Sequence, residues 1–394
     1  MSGLVHGRLM SFGFRVSALL CVGMMAGCAT AHAFEPRPVG ASEKVAPMTA
    51  ASAENTTLTW YAARQLTIEG KGWTDTPSFF RRLPERAKDV VTPAVWRLSS
   101  NTAGICVRFV SDADAIWARV KVTSKNLALP HMPASGTSGL DLYVYRDGQY
   151  RCLHVGRLKM EQAIERPLLT KTLPGLNEYL LYLPLYNGIE YLEIGVPRDA
   201  LMGKPLPRPA DRAKPICFYG TSIMQGGCAS RPGMSHVAII GRWLDRPVMN
   251  FGFSGAGKME PAMADLFGEL DVAAYVLDCL PNMSVDMVNE RVEPFVLRLR
   301  KARPKTPILL VESTTYPTQK IISGTNALYL QKNIALKKVY QKLLDQDVAH
   351  LHYLPGENLI GPDGQGTVDG THLTDLGFHR FAQAMTPVLR DIVE

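Results

Sequence analysis

The rhythm of apolar and polar positions changes once along the chain, near Pro215. Before that point apolar residues tend to alternate with polar ones. Ile116-Trp117-Ala118-Arg119-Val120-Lys121-Val122 alternates as a half-buried strand does, and so does Leu140-Asp141-Leu142-Tyr143-Val144. The second run leads into Arg146-Asp147-Gly148-Gln149, a hairpin turn sequence. A further hairpin is predicted where residues 179–186 and 189–196 flank Asn187-Gly188. Helical periodicity is almost absent here. Short strands with such turns predict a β-sandwich over residues 56–202. Residues 203–215 are rich in proline and charge and read as an interdomain linker, packed if at all in an extended form.

Beyond Pro215, short apolar runs at residues 216–219, 247–251, 274–279 and 308–311 alternate with helical stretches. A weaker run at 350–354 makes a fifth strand. The helical stretches include residues 285–302, 328–344 and 374–393. In the second of these, Leu328, Leu336, Val339, Tyr340 and Leu343 form an apolar stripe. Strands alternating with helices predict a parallel sheet covered on both faces over residues 216–394.

Composition agrees with two cores. The chain has 394 residues, of which 46% are hydrophobic and 20% charged. Residues 1–33 are set apart. Arg8 and Arg15 precede an apolar run at 16–25 and then small residues, the layout of a secretory signal peptide. Met25-Ala26-Gly27-Cys28 resembles a lipobox, which would make Cys28 a lipidation site. Ala31-His32-Ala33 offers ordinary cleavage instead. Both readings predict an exported protein, periplasmic, secreted or held at the outer membrane by a lipid. Residues 34–55, rich in Ala, Pro, Ser and Glu, read as a flexible tether.

Removing the two leader arginines takes the formal charge from +7 to 7 − 2 = +5. That excess favours anionic surfaces, but no basic run interleaved with aromatics marks a nucleic-acid partner. Seven cysteines less Cys21 and Cys28 leave five, an odd number that cannot pair completely within one chain. No C-x-x-C spacing is present. Neither a metal site nor a cofactor is expected.

The candidate chemistry lies where predicted strands end. Ile216-Cys217-Phe218-Tyr219 stops at Gly220, and Thr221-Ser222 follow. Ligands bind at that edge of open α/β sheets, although a serine there commonly caps the next helix. Asn250-Phe251-Gly252-Phe253-Ser254-Gly255-Ala256-Gly257, Asn282 and Asp369-Gly370-Thr371-His372 occupy similar places. Acyl transfer requires a nucleophile, an oriented base and oxyanion donors. Ser222, His372 and Asp369 fit the first two needs. The Ser222 N–H, the Gly255 N–H and the Asn282 amide fit the third.

These segments resemble the blocks of the SGNH, or GDSL-type, hydrolases. Gly220-Thr221-Ser222-Ile223 stands where that family has Gly-Asp-Ser-Leu, residues 250–255 stand for the glycine block, Asn282 for the Asn of Gly-x-Asn-Asp, and Asp369 with His372 for Asp-x-x-His. Gly139-Leu140-Asp141-Leu142-Tyr143 is similar to the Gly-x-Asp-Leu-Tyr motif of a bacterial subgroup with a preceding β-sandwich. The resemblance spans roughly residues 56–392. It implies a flavodoxin-like three-layer sheet after a jelly-roll-like sandwich, and a serine esterase acting on small acyl groups, acetyl above all, carried by carbohydrate. Leu280-Pro281-Asn282-Met283 departs from the family block and alters the loop beside the oxyanion site.

Three other readings remain open at this point: a lipid esterase or lysophospholipase, an acetyltransferase with the same triad, and a non-catalytic glycan-binding envelope protein. Glu312, beyond a strand, is a candidate substrate contact, with Asp286, Lys258 and Glu260 as weaker ones. Leu129-Pro130-His131-Met132-Pro133 is either a surface loop or one that reaches the cleft.

Overall fold

The computed structural model describes residues 36–47, 57–156, 163–171, 174–316 and 326–394. The leader with Cys28 and residues 34–35 and 48–55 of the expected tether lie outside the described residues.

Among the described residues, eleven strands build the first half of the chain: β1 (Ala41–Lys44), β2 (Leu58–Ala62), β3 (Thr67–Glu69), β4 (Cys106–Ser111), β5 (Ile116–Val122), β6 (Leu140–Arg146), β7 (Gln149–Gly156), β8 (Ala163–Leu169), β9 (Asn177–Tyr182), β10 (Ile189–Pro197) and β11 (Met202–Pro205). They form two antiparallel sheets. One runs β1-β11-β4-β9-β6-β7 with β3 beside β4, and the other runs β2-β10-β5-β8. Inward-facing residues of both sheets, among them Val107, Phe109, Ala118, Val120, Leu142 and Ile194, fill the space between them. The predicted sandwich is therefore present. Its β6–β7 hairpin turns at Asp147 and Gly148, both with positive φ.

The second predicted hairpin does not form. β9 pairs with β4 and β6, whereas β10 pairs with β2 and β5 in the other sheet. Residues 183–188 cross between the sheets. Neither Asn187 nor Gly188 adopts the positive φ that a two-residue turn of the Asn-Gly type requires. The Asn187 side chain bonds outward instead. Its Oδ1 accepts from the Ser124 N–H at 2.9 Å, and its Nδ2 donates to Ser138 Oγ at 3.0 Å.

The expected tether and linker are likewise structured at their described ends. β1 pairs with β11, so part of each region is strand. Arg37 and Arg208 are buried and carry carboxylates on both sides. Arg37 meets Glu178 and Asp245, and Arg208 meets Glu69 and Asp245. Composition marked residues 34–55 as a flexible tether, but Arg37 is satisfied inside the protein, and the linker's Arg208 likewise.

In the second half, β12 (Ile216–Gly220), β13 (Val248–Gly252), β14 (Ala274–Asp278), β15 (Ile308–Val311) and β16 (Leu351–Leu354) make one parallel sheet in the order β13-β12-β14-β15-β16. This is the flavodoxin-like order, with its topological switch beside β12. Eight helices complete the chain: α1 (Pro93–Leu98) and α2 (Ala134–Thr137) in the first half, then α3 (Ser222–Gln225), α4 (His236–Trp243), α5 (Pro261–Gly268), α6 (Val285–Ala302), α7 (Asn326–Asp345) and α8 (Asp375–Val393). One face of the sheet packs Tyr219, Phe251 and Tyr275 against Phe267 and Phe295. The other packs Phe218, Val276 and Leu309 against Phe378 and Phe381. Each such side chain contributes roughly 1.5–3 kcal/mol by leaving water. Trp73, Leu83 and Val95, from the first half, belong to the same core as Tyr219. Two halves of different architecture are thus joined by shared apolar packing. Among the described residues no helix is long and apolar enough to cross a membrane.

Candidate active site

β12 ends at Gly220 and delivers Ser222 as the first residue of α3. The serine is not spent on capping that helix. Thr221 caps it, its Oγ1 accepting from the Ile223 N–H at 3.2 Å. The Ser222 hydroxyl meets His372 Nε2 at 2.9 Å instead.

The His372 ring is held from its other side. Asp369 Oδ2 lies 2.7 Å from Nδ1, and Asp369 Oδ1 accepts from the His372 N–H at 2.7 Å and the Thr371 N–H at 3.0 Å. Thr374 caps α8, which leaves Asp369 to the histidine. Partial burial pushes the Asp369 carboxyl up. The bonds from His372 and Thr371 outweigh that and hold it below the usual carboxylate range. Asp369 is therefore an anion at neutral pH, placed to accept a hydrogen bond from Nδ1–H and leave Nε2 facing the serine.

The oxyanion candidates are three separate donors on the loops that follow β12, β13 and β14. As first residue of α3, Ser222 has an N–H with no intrahelical acceptor. Gly255 is exposed with φ of 69°, and nothing lies within 4 Å of where a Cβ would stand, so its loop is open on that side. Asn282 ends a single 3-10 turn after β14, and its Nδ2 makes only long contacts, 3.5 Å to the Phe253 carbonyl and 3.4 Å to that of Gly257. Those contacts set the amide against the glycine loop without saturating it.

Glu312 has another task. Its carboxylate accepts from the Gly356 N–H at 2.8 Å and from the Tyr353 hydroxyl, joining the ends of β15 and β16. Glu260 is engaged by the Tyr219 hydroxyl at 2.5 Å and the Lys258 N–H at 3.2 Å. Both carboxylates follow strands, as site residues do, but brace the framework.

Three residues of the first half complete the surroundings. Tyr186, on the crossing segment, donates its hydroxyl to the Ser222 carbonyl at 3.2 Å. The fully buried Arg82 donates to the carbonyls of Asn250 (2.8 Å) and Gly252 (2.9 Å), fixing the start of the glycine loop. Burial without a facing carboxylate pulls its guanidinium down to about 9. His131 sits on a tight turn bridged between Leu129 and Met132, and its ring lies 5.3 Å from that of His372. The 129–133 loop thus reaches the cleft.

Cys228, buried at positive φ, stands beside them. Burial, and then the Asp369 carboxylate, push its thiol up to about 11. It is a poor nucleophile in that state.

Comparison with known proteins supplies the family. Residues 213–390 match the model of the GDSL-like lipase/acylhydrolase family, and residues 58–202 match that of the N-terminus of SGNH-hydrolase-type esterases. A GDSL-like lipase from Bacteroides ovatus is 33% identical, with a TM-score of 0.80 over 85% of this chain and 98% of its own. The chain belongs to the GDSL-like (SGNH) esterase and acylhydrolase family. Within the GDSL-like fold, a salicylyl-acyltransferase from a tetracycline biosynthetic pathway superposes with a TM-score of 0.70 at 18% identity, covering 86% of this chain and 98% of that one. A family two carbohydrate esterase from Clostridium thermocellum, solved with cellohexaose, gives 0.52 at 14% identity over 73% and 92%. No curated protein matches the chain.

For a GDSL-like protein, Tyr186 and Arg82 are additions that motif reading did not provide. Tyr186 was visible only as the end of a strand. Arg82, the second of the pair Arg81-Arg82, carried no signal of its own.

Proposed function

We propose that this protein is a serine esterase that removes small acyl groups, acetyl foremost, from carbohydrate. The observation that carries the reading is the continuous chain from Ser222 Oγ through the His372 ring to Asp369, at 2.9 and 2.7 Å.

In this mechanism His372 Nε2 accepts the Ser222 proton as Oγ attacks the ester carbonyl. Asp369 holds the ring and stabilises the imidazolium. The Ser222 and Gly255 N–H groups and the Asn282 amide receive the oxyanion. Collapse breaks the ester C–O bond. The alcohol departs with the proton from Nε2, leaving the acyl group on Oγ. Water then attacks, its proton passing to Nε2, and the acid leaves as Ser222 recovers its hydrogen.

The carbohydrate-esterase fold neighbour and the exposed Gly255 loop support a glycan ester. Arg8 and Arg15 ahead of an apolar run support export of the protein to where such polymers lie, anchored through Cys28 or free. Nitrophenyl acetate turnover by the purified protein, lost in Ser222→Ala, tests the mechanism. A Ser222→Ala protein that keeps near wild-type turnover refutes it. A panel of acetylated polysaccharides, with products read by mass spectrometry, tests the substrate class. Rates rising towards long acyl chains would point to lipid esters, and a sugar acceptor outcompeting water would point to acyl transfer.

A further inference from the structure

His131, Cys228 and His372 come from three distant places in the chain, a turn of the sandwich, the loop after α3 and the loop before α8. Each offers one ligand atom, and these atoms all lie within 4.8 Å of one another. Two imidazoles and a thiol are the donor set of a borderline-soft cation, and a poor one for magnesium or calcium. A tetrahedral zinc ion with bonds of about 2.0–2.3 Å separates its ligands by roughly 3.5 Å. Closure of about 1 Å is therefore needed. His131 is exposed on its turn and has room to make it.

A second feature matches such an ion. Zinc-bound histidines commonly donate their other ring N–H to a carboxylate. Asp369 accepts at Nδ1 of His372 from 2.7 Å, so Nε2 is the nitrogen a cation would take. That nitrogen faces Ser222 Oγ.

We propose that His131, Cys228 and His372 form a zinc-binding site that switches the esterase off. The bound ion occupies the electron pair with which His372 Nε2 would accept the serine proton. It displaces the Cys228 proton to solvent and binds the thiolate. The fourth position is open to water or to Ser222 Oγ. Chelation restores the free base. No resident metal is required for catalysis in this scheme; the ion is a reversible brake supplied partly by the sandwich. Linear spacing hides the site because its ligands are nearly a hundred residues or more apart.

The inhibitory consequence rests on His372 being the base, whereas the binding does not. Cobalt(II), a spectroscopic stand-in for zinc, is titrated into the full-length Ser222→Ala protein, which needs no turnover. One equivalent should produce a thiolate-to-cobalt charge-transfer band that zinc abolishes. Cys228→Ser in that background should remove the band, and His131→Ala should weaken zinc binding by at least about tenfold. In proteins with Ser222 intact, zinc should inhibit ester hydrolysis reversibly. The inhibition constant should rise by a similar factor in each variant, taken against that variant's own metal-free rate. No thiolate band, or zinc inhibition as strong in both variants as in the wild type, overturns the proposal. An inactive protein that still shows the band refutes the esterase reading alone, and an active enzyme that shows no band and no zinc inhibition refutes the zinc site alone.

Discussion

The Asp141 carboxylate and the Arg231 guanidinium meet at 2.7 Å across the boundary between the sandwich and the parallel-sheet half. Asp141 is fully buried on β6, within the Gly-x-Asp-Leu-Tyr sequence, and also accepts the Gly233 N–H at 2.9 Å. Arg231 belongs to the segment after Cys228. Its neighbour Ser230 accepts Ser135 of the sandwich at its carbonyl (2.7 Å) and donates its own N–H to Asp375 (2.9 Å). Gly136 comes so close that a Cβ there would stand 2.0 Å from the Ala229 carbonyl. Asp141 thus ties the sandwich to the loop that flanks the candidate triad.

Removing that carboxylate leaves a half-buried cation and a buried N–H without their partner. Asp141→Ala should therefore lose about 3 kcal/mol of stability in urea unfolding. Asp141→Asn keeps the shape and one acceptor and should lose less. Equal, near-zero losses in both would show that the clamp is dispensable.

Asp369→Asn should preserve the fold but abolish the negative charge at Nδ1. An amide there can also favour the wrong imidazole tautomer. The expected fall in kcat is about 10³–10⁴-fold with KM nearly unchanged. Steady-state kinetics on nitrophenyl acetate measure it.

The two oxyanion candidates beyond α3 separate cleanly. Asn282→Ala deletes a donor and should reduce kcat by about 10²–10³-fold. Gly255→Ala keeps its N–H, and its new Cβ meets no atom within 4 Å. Its cost is the positive φ, roughly 1 kcal/mol of stability, with kcat within a few-fold of wild type. Parallel kinetic and unfolding measurements on both variants decide the roles.

His236 is fully buried against Phe378 and Phe381, with no hydrogen-bond partner at either ring nitrogen among the described residues. Burial lowers its pKa to about 3. Below its ordinary value near ~6.5 the unfolded chain therefore binds a proton that the folded chain refuses. Stability is intact above that value and is lost as pH falls towards 3. His236→Leu should abolish this loss. Urea unfolding should show the variant gaining on the wild type by up to about 3 kcal/mol between pH 7 and pH 4.

Much of the second half was legible because its signals are local. Apolar runs gave all five parallel strands, since strands buried on both faces need no alternation. Ser222, Asp369 and His372 each stood at a strand or helix end, and the structure brings them into hydrogen-bonding distance. The first half was harder. Asn187-Gly188 has the composition of a tight turn, yet the asparagine's bonds to Ser124 and Ser138 hold a crossing between sheets. Arg37 fell in an expected tether and Arg208 in an expected linker because their partners Glu178, Glu69 and Asp245 are far away in sequence. Glu312 follows β15 as a site residue would, and only its contact with Gly356 reveals a bracing role. What escaped was long-range pairing, which a single sequence does not encode position by position.

The crossing at residues 183–188 makes Ser222 a tenant of both halves. Tyr186 touches the serine's own carbonyl, and the neighbouring Leu185 carbonyl receives the Gln225 side chain of α3 at 3.0 Å. The two architectures are consequently not interchangeable parts. A parallel sheet excised at Pro215, or spliced to a foreign sandwich, would carry every triad residue and still lack the contacts that seat its serine.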